Sequence, residues 1–377
     1  MLVGCLEELD IEETYHVHSS RKEKLLSTLM CLLSINGVEQ LASAEICFFK
    51  QLIMKILKVL GITLVFVILL GLTSGLYLNF ALPNVGVAPE LKVKKTTQTV
   101  ERGRYLANHV TVCMDCHSTR DWNAFGGPIV PGSEGRGGEH FDKKAGFPGN
   151  IYSTNLTPYK LSSWTDGEIY RAVTSGVGKD GHALFPVMGY QRFGKMSKDD
   201  VFSIIAYLRT LKPIKNDTPA PDLDFPVNLL IKLGPKKPEH SDMPALSDTV
   251  HYGGYLVNAA GCVDCHSKQE KGVIVAGSEF GGGMEFILPA GVIRAPNITM
   301  DKATGIGNWT KDMFVRRFKA HTNSESKPAK LSAGQLNSPM PWTMYGGMTE
   351  IDLGAIFAYL KTLKKQNNKV TVMSYAK

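Results

Sequence analysis

The chain has 377 residues, 44% of them hydrophobic, with 37 glycines and 19 prolines, which excludes one small domain and suits two or three globular domains with connecting loops. The formal charge of +7 comes from scattered lysines, and no basic stripe with interleaved aromatics exists to mark a nucleic-acid partner.

In chain order, residues 1–53 have no clean amphipathic period and no motif, and read as a cytoplasmic prefix. Three of the seven cysteines (Cys5, Cys31 and Cys47) lie here, away from the later four, which points to two redox compartments. Met54-Lys55-Ile56-Leu57-Lys58 looks like the ordinary start of an exported protein, so the natural chain is expected to begin at Met54 and His16 and His18 to have no role. Residues 54–82 form the anchor. Val59–Leu78 is uncharged over a span just long enough to cross a bilayer. Lys50, Lys55 and Lys58 precede it, whereas Lys92, Lys94 and Lys95 are the first lysines after it, so the positive-inside rule puts the amino terminus in the cytoplasm. A cleaved signal peptide would share the apolar run, but no small-x-small cleavage site follows it.

After a linker over 83–98, residues 99–213 form a first domain and 249–366 a second, separated by a Pro-rich linker over 214–248 and followed by a tail, 367–377. Each domain contains Cys-x-x-Cys-His: Cys113-Met114-Asp115-Cys116-His117, then Cys262-Val263-Asp264-Cys265-His266. Two thiols on one helical turn reach the two vinyl groups of one porphyrin, and the next histidine turns its imidazole onto the iron. CxxC also serves redox dithiols and zinc sites, but two copies inside a repeat point to two covalently attached haem c groups. The repeat is extensive. Gly103-Arg104-Tyr105-Leu106 matches Gly253-Gly254-Tyr255-Leu256, Ser153-Thr154-Asn155 matches Ala295-Pro296-Asn297, Trp164-Thr165 matches Trp309-Thr310, and Ala206–Lys212 matches Ala358–Lys364. Each domain is predicted to be helical at both ends, with N-caps at Ser197 and Thr349 opening the last helices. The Gly-rich middles, 126–149 and 277–291, read as irregular loop.

A second axial ligand separates an electron carrier from an enzyme with an open iron site. Registering the terminal helices pairs Met188 with Met340, each in a loop before the last helix, so His117/Met188 and His266/Met340 are the expected ligand pairs. The same register pairs Met196 with Met348, directly before the N-caps, where a hydrophobic staple is expected. His109, His182, His240, His251 and His321 have no repeat partner and read as surface residues or haem-propionate neighbours. Trp164, Trp309, Tyr105 and Tyr255 are candidate haem-pocket walls, and Asn155 and Asn297 either bind a propionate or cap a loop.

The run YSTNLTP, then Trp-Thr-Asp-Gly-Glu, then PVMGY and AYLRTLKP, with ITMDKATGIGNW and PMPW in the second half, resembles the di-haem membrane-bound cytochrome c family. That family includes the cytochrome c subunits of membrane-bound alcohol and gluconate dehydrogenases. The resemblance covers about residues 99–365. Several of those subunits carry three haem domains where this chain has two, and Gly189 replaces the proline that usually follows the methionine. Together the expectation is a mainly α protein, two tandem cytochrome c-like helical haem domains on an N-terminal transmembrane helix, in a bacterial inner membrane with the haem domains in the periplasm. It would make no bonds itself, and would pass single electrons between a dehydrogenase or quinol-linked partner and a terminal oxidase or soluble cytochrome. The alternative is a di-haem cytochrome c peroxidase, which needs one open iron and a distal acid–base group; no repeat-breaking Glu or His near either methionine loop serves that purpose.

Overall fold

The structure is a computed structural model that describes residues 39–322 and 328–376, with side chains from Phe48 onward. The expectations for Cys5, Cys31, His16 and His18, and for the Cys47 side chain, lie outside the described residues. A continuous helix, α1 (Glu39–Phe80), begins well before the expected anchor boundary at residue 54. Its segment Phe48–Phe80 is apolar, has no buried stretch and, at about 1.5 Å per residue, is long enough to cross a bilayer. The chain divides into two compact units, Met1–Gly75 and Leu76–Lys377.

The second unit holds both sequence copies. Its first half contains α2 (Thr97–Tyr105), a wide turn at Leu106–Val110, α3 (Cys113–Cys116), β1 (His140–Phe141), β2 (Gly149–Tyr152), α4 (Asp166–Ser175), α5 (Tyr190–Phe193), α6 (Lys198–Leu208) and β3 (Asp222–Leu223). The second half repeats the order with α7 (Thr249–Ala260), α8 (Cys262–Cys265), β4 (Glu285–Leu288), β5 (Gly291–Arg294), α9 (Lys311–Lys319), α10 (Trp342–Tyr345), α11 (Glu350–Leu360) and β6 (Met373–Tyr375).

Sequence chemistry explains the terminal helices. The Ser197 hydroxyl caps the Asp200 N–H, and Thr349 caps Asp352 in the same way. Val201, Ile204, Ile205 and Leu208 then recur at helical spacing and are buried, as are Leu353, Ile356, Phe357 and Leu360. Met196 and Met348, immediately before the caps, are fully buried. Each terminal helix crosses the first helix of its half in backbone contact. A Cβ on Gly103 would lie 1.8 Å from the Ser203 carbonyl oxygen, and one on Gly253 1.9 Å from that of Ala355. The repeated Gly-x-Tyr-Leu is therefore a helix-crossing device, because only glycine lets the backbones come so close.

Two expectations change. The middle loops contain short antiparallel sheets, β1–β2–β3 and β4–β5–β6. Their third strands come from the segments read as linker (214–248) and tail (367–377), so each half reclaims the chain that follows its last helix. Strand pairing between distant segments leaves no local period to read. The 83–98 segment is likewise no free linker: Val93 packs on the core, and its N–H donates to Asp166 Oδ2 at 2.8 Å. The two halves also share one hydrophobic core, in which Leu106 and Met196 from the first join Leu256 and Met348 from the second.

Candidate haem sites

Both Cys-x-x-Cys segments form single helical turns, α3 and α8, that open from a left-handed residue. Gly261 (φ 69°) takes this conformation freely, whereas Val112 (φ 46°) does so with strain, since a β-branched side chain crowds the following carbonyl. The chain then places each histidine at the end of the turn, its N–H bonded to the first cysteine's carbonyl at 3.0 Å. His117 Nδ1 donates to the Thr154 carbonyl at 2.6 Å and His266 Nδ1 to the Pro296 carbonyl at 2.8 Å. With Nδ1 as the donor, Nε2 carries the lone pair, the tautomer an iron ligand needs. Burial lowers the pKa of both imidazoles, which keeps them neutral and ligand-competent at pH 7.

The carbonyls that hold the histidines belong to the repeated Asn loops. Asn155 Oδ1 accepts from the Thr157 N–H and hydroxyl, at 2.8 and 2.7 Å, while its amide donates to the Ile214 carbonyl at 2.8 Å. Asn297 does the same with Thr299 at 2.9 and 2.8 Å and with the Gln366 carbonyl at 2.7 Å. Of the two readings for these residues, the loop cap is the one built. Each Asn clamps the histidine-holding loop to the chain that leaves the terminal helix. The repeat singled out the asparagines, but nothing in the sequence pointed to the carbonyls of Thr154 and Pro296.

Cys113, Cys116 and Cys262 are half-buried and Cys265 is exposed. Burial pushes the thiols of Cys116 and Cys262 up to about 12 and raises Cys113. A redox-active dithiol requires the opposite shift. Among the described residues no cluster of three or more His, Cys, Asp or Glu side chains forms a metal site of the zinc kind. Thiols that stay protonated beside a neutral, oriented imidazole fit haem c.

Met188 ends a tight turn, Pro186–Met188, and Met340 lies just before α10; both are half-buried against the core. Trp164 and Trp309 are also half-buried there. The hydroxyls of Tyr105 and Tyr255 make contacts between the halves. Tyr105 donates to Asp352 and Tyr255 to Asp200 at 2.6 Å, each reaching the other half, because a phenol taken out of water needs an acceptor. The sequence also gave no sign of Arg192. Its guanidinium leaves α5 to pair with Asp264 on the second attachment turn at 2.6 Å and to donate to the Ala259 carbonyl at 3.0 Å. In the first turn Asp115 pairs within its own half, with Arg120 at 2.9 Å, and burial still pushes its carboxyl up to about 6. Of the unpaired histidines, His109 binds the Met344 carbonyl at 2.9 Å across the halves, and His240 binds the Met196 carbonyl at 2.5 Å. His182 and His251 are exposed beside Asp180 and Asp248, and His321 stacks between Phe125 and Trp342.

Comparison with known proteins finds cytochrome c subunits. The chain is 28% identical over 70% of its length to the cytochrome c subunit of the quinone alcohol dehydrogenase of Gluconacetobacter polyoxogenes, covering 56% of that protein. It is 28% identical to the cytochrome subunit of fructose dehydrogenase of Gluconobacter japonicus, over 70% of this chain and 52% of that one. The chain is similar to dehydrogenase cytochrome c subunits. A di-haem c-type cytochrome of Cereibacter sphaeroides is 26% identical over 50% of the chain and 64% of its own length. No family model matches the chain. It spans about half the length of the dehydrogenase subunits it matches. Haem binding and electron transport are the function class that the relatives and the residues share.

Proposed function

We propose that the chain is a membrane-anchored di-haem cytochrome c, built from two tandem cytochrome c-like domains, that transfers single electrons and makes no bonds itself. The observation that carries this reading is the duplicated attachment turn, in which each histidine donates from Nδ1 to a carbonyl of an equivalent, Asn-clamped loop. Cys113 and Cys116 would hold one porphyrin and Cys262 and Cys265 the other, with His117 and His266 as proximal ligands. Met188 and Met340 would each supply a thioether to one haem, and Trp164 and Trp309 would keep water from it. Haem c, when bound, supplies one-electron iron chemistry. The protein's part is to hold each imidazole in one tautomer, to seat the thioether, and to keep the two sites at a fixed separation through the shared core. The donor is a dehydrogenase or a quinol-linked complex, and the acceptor a terminal oxidase or a soluble cytochrome. Helix α1 would anchor the protein in the inner membrane with the chain after it on the periplasmic side.

Mass spectrometry of the mature protein should find two covalently held haems. The double variants Cys113→Ala/Cys116→Ala and Cys262→Ala/Cys265→Ala should each lose one. Retention of both haems in either variant overturns the attachment assignment.

A further inference from the structure

The register that pairs the two halves also exposes a difference between them. In the first half, the extended segment 83–96 lies across the start of α4. Val93 donates to Asp166, the Pro89 carbonyl oxygen lies 1.8 Å from where a Cβ on Gly167 would be, and Arg209 pairs with Asp166 at 2.8 Å. The equivalent surface of the second half is an open groove of about 760 Å³. Trp309, Ile351 and Gly354 line it, and Ile351 is 68% exposed. By the same register Lys311 replaces Asp166, Lys361 replaces Arg209 and Gly354 replaces Phe202. The ion pair that anchors the first half's strap is thus exchanged for two like charges, and a bulky ring for no side chain.

The second half has no strap of its own among the described residues. The segment before α7, which duplication would assign to that task, is bound to the first half instead. His240 reaches the Met196 carbonyl at 2.5 Å, and the Ser241 hydroxyl reaches the Lys195 carbonyl at 2.9 Å. Among the residues lining the groove, Lys302, Lys311, Lys361 and Lys365 outnumber the carboxylate of Glu350, and Asp301 stands beside Lys365.

We infer that this groove is a docking site for an extended, acidic and apolar segment of a partner protein, which takes the place that the chain's own strap occupies in the first half. The shape comes from the duplicated strap seat, and the choice of partner from the exchanged charges. A strap that brings lysines would be repelled, whereas carboxylates beside the seat of Val93 would meet Lys311 and Lys361. The groove shares Trp309 with the proposed second haem site, so haem content has to be read alongside binding to keep the two readings distinct.

The test uses the full chain in detergent and a fluorescent peptide, VGVAPELEVEE, which is the chain's own segment 85–95 carrying Lys92→Glu, Lys94→Glu and Lys95→Glu. Fluorescence anisotropy should show saturable binding, at least about ten-fold tighter than for the unaltered segment. Gly354→Trp should fill the groove and weaken binding about ten-fold or more, since a Cβ there meets only the Lys311 side chain. Lys311→Glu/Lys361→Glu should reverse the preference, binding the lysine-bearing peptide better than the acidic one, with unchanged circular dichroism. Absence of saturable binding, binding that survives Gly354→Trp within about two-fold, or displacement by inorganic phosphate beyond that caused by sodium chloride of equal ionic strength would each overturn the inference. Haem content, measured in parallel, keeps these outcomes distinct from failure of the cytochrome assignment.

Discussion

The phenol of Tyr255 donates to the carboxylate of Asp200 at 2.6 Å, and its oxygen accepts from the Ser197 N–H at 3.2 Å. Tyr105 makes the reciprocal pair of bonds with Asp352 and the Thr349 N–H. Each half therefore uses a tyrosine of its first helix to complete the N-terminus of the other half's last helix. The remaining partners differ. Asp200 also holds Arg102 through two bonds of 2.8 Å, whereas Asp352 receives Tyr252 at 2.9 Å.

This difference predicts unequal costs. Tyr255→Phe removes one charge-assisted bond and leaves the Asp200–Arg102 pair intact, so it should cost about 1.5–3 kcal/mol. Asp200→Ala removes the cap-turn carboxylate and strands a half-buried guanidinium, for a loss of about 3–5 kcal/mol. Urea denaturation followed by tryptophan fluorescence measures both. Equal costs would mean that Arg102 finds another partner.

The same contacts set the response to alkali. Burial, and then the neighbouring aspartates, hold the phenols of Tyr105, Tyr252 and Tyr255 well above the ordinary value. Their contribution is fully present below about pH 10, where the unfolded chain's phenols titrate, and is lost as pH rises toward the folded values. Stability should fall steeply above about pH 10, and less steeply in Tyr252→Phe and Tyr255→Phe. Denaturant midpoints at several pH values give the slope for each protein.

The glycines of the two helix crossings should behave differently from their neighbour. Gly103→Ala and Gly253→Ala each push a methyl group into backbone oxygen and should cost about 3 kcal/mol or more. Gly254→Ala meets only the edge of the Tyr359 ring, 2.9 Å away, which can rotate aside, and should cost about 1 kcal/mol or less. Thermal melts of the three variants rank them.

For the axial ligands, Met188→Ala and Met340→Ala should each open one iron, lower that haem's potential and let it bind carbon monoxide, which the native reduced protein should resist. Met196→Leu and Met348→Leu, fully buried ahead of the caps, should leave the spectra alone and change stability by less than about 1.5 kcal/mol. Ready carbon monoxide binding by the native protein, with peroxide turnover, would favour a peroxidase. Gly189, left-handed at φ 71° directly after Met188, marks the first site as the place to look.

Asn297→Ala should release the loop that carries the Pro296 carbonyl. His266 then loses its orienting acceptor and becomes a less basic ligand, so the second haem should show a raised potential or incomplete incorporation while the first is unchanged. Redox titration of each haem band reads the difference.

What the sequence determined by itself is local chemistry. The two attachment turns, their histidines, the N-caps at Ser197 and Thr349 and the apolar stretch of α1 each depend on residues within a few positions of one another. The repeat extended that reach, pairing Met188 with Met340 and Asn155 with Asn297 before any contact was visible. Tertiary structure alone decided which residues make the contact between the halves. Tyr105 meets Asp352 only because each first helix crosses its own half's last helix and the two halves share one core, a pairing of residues 247 apart with no period to betray it. It also decided that the chain after each terminal helix returns as a third strand, and that the segment before α7 is bound to the first half. Such contacts depend on where a segment is held in space, and two segments of like composition, the strap and the linker, were free in sequence terms to take either place.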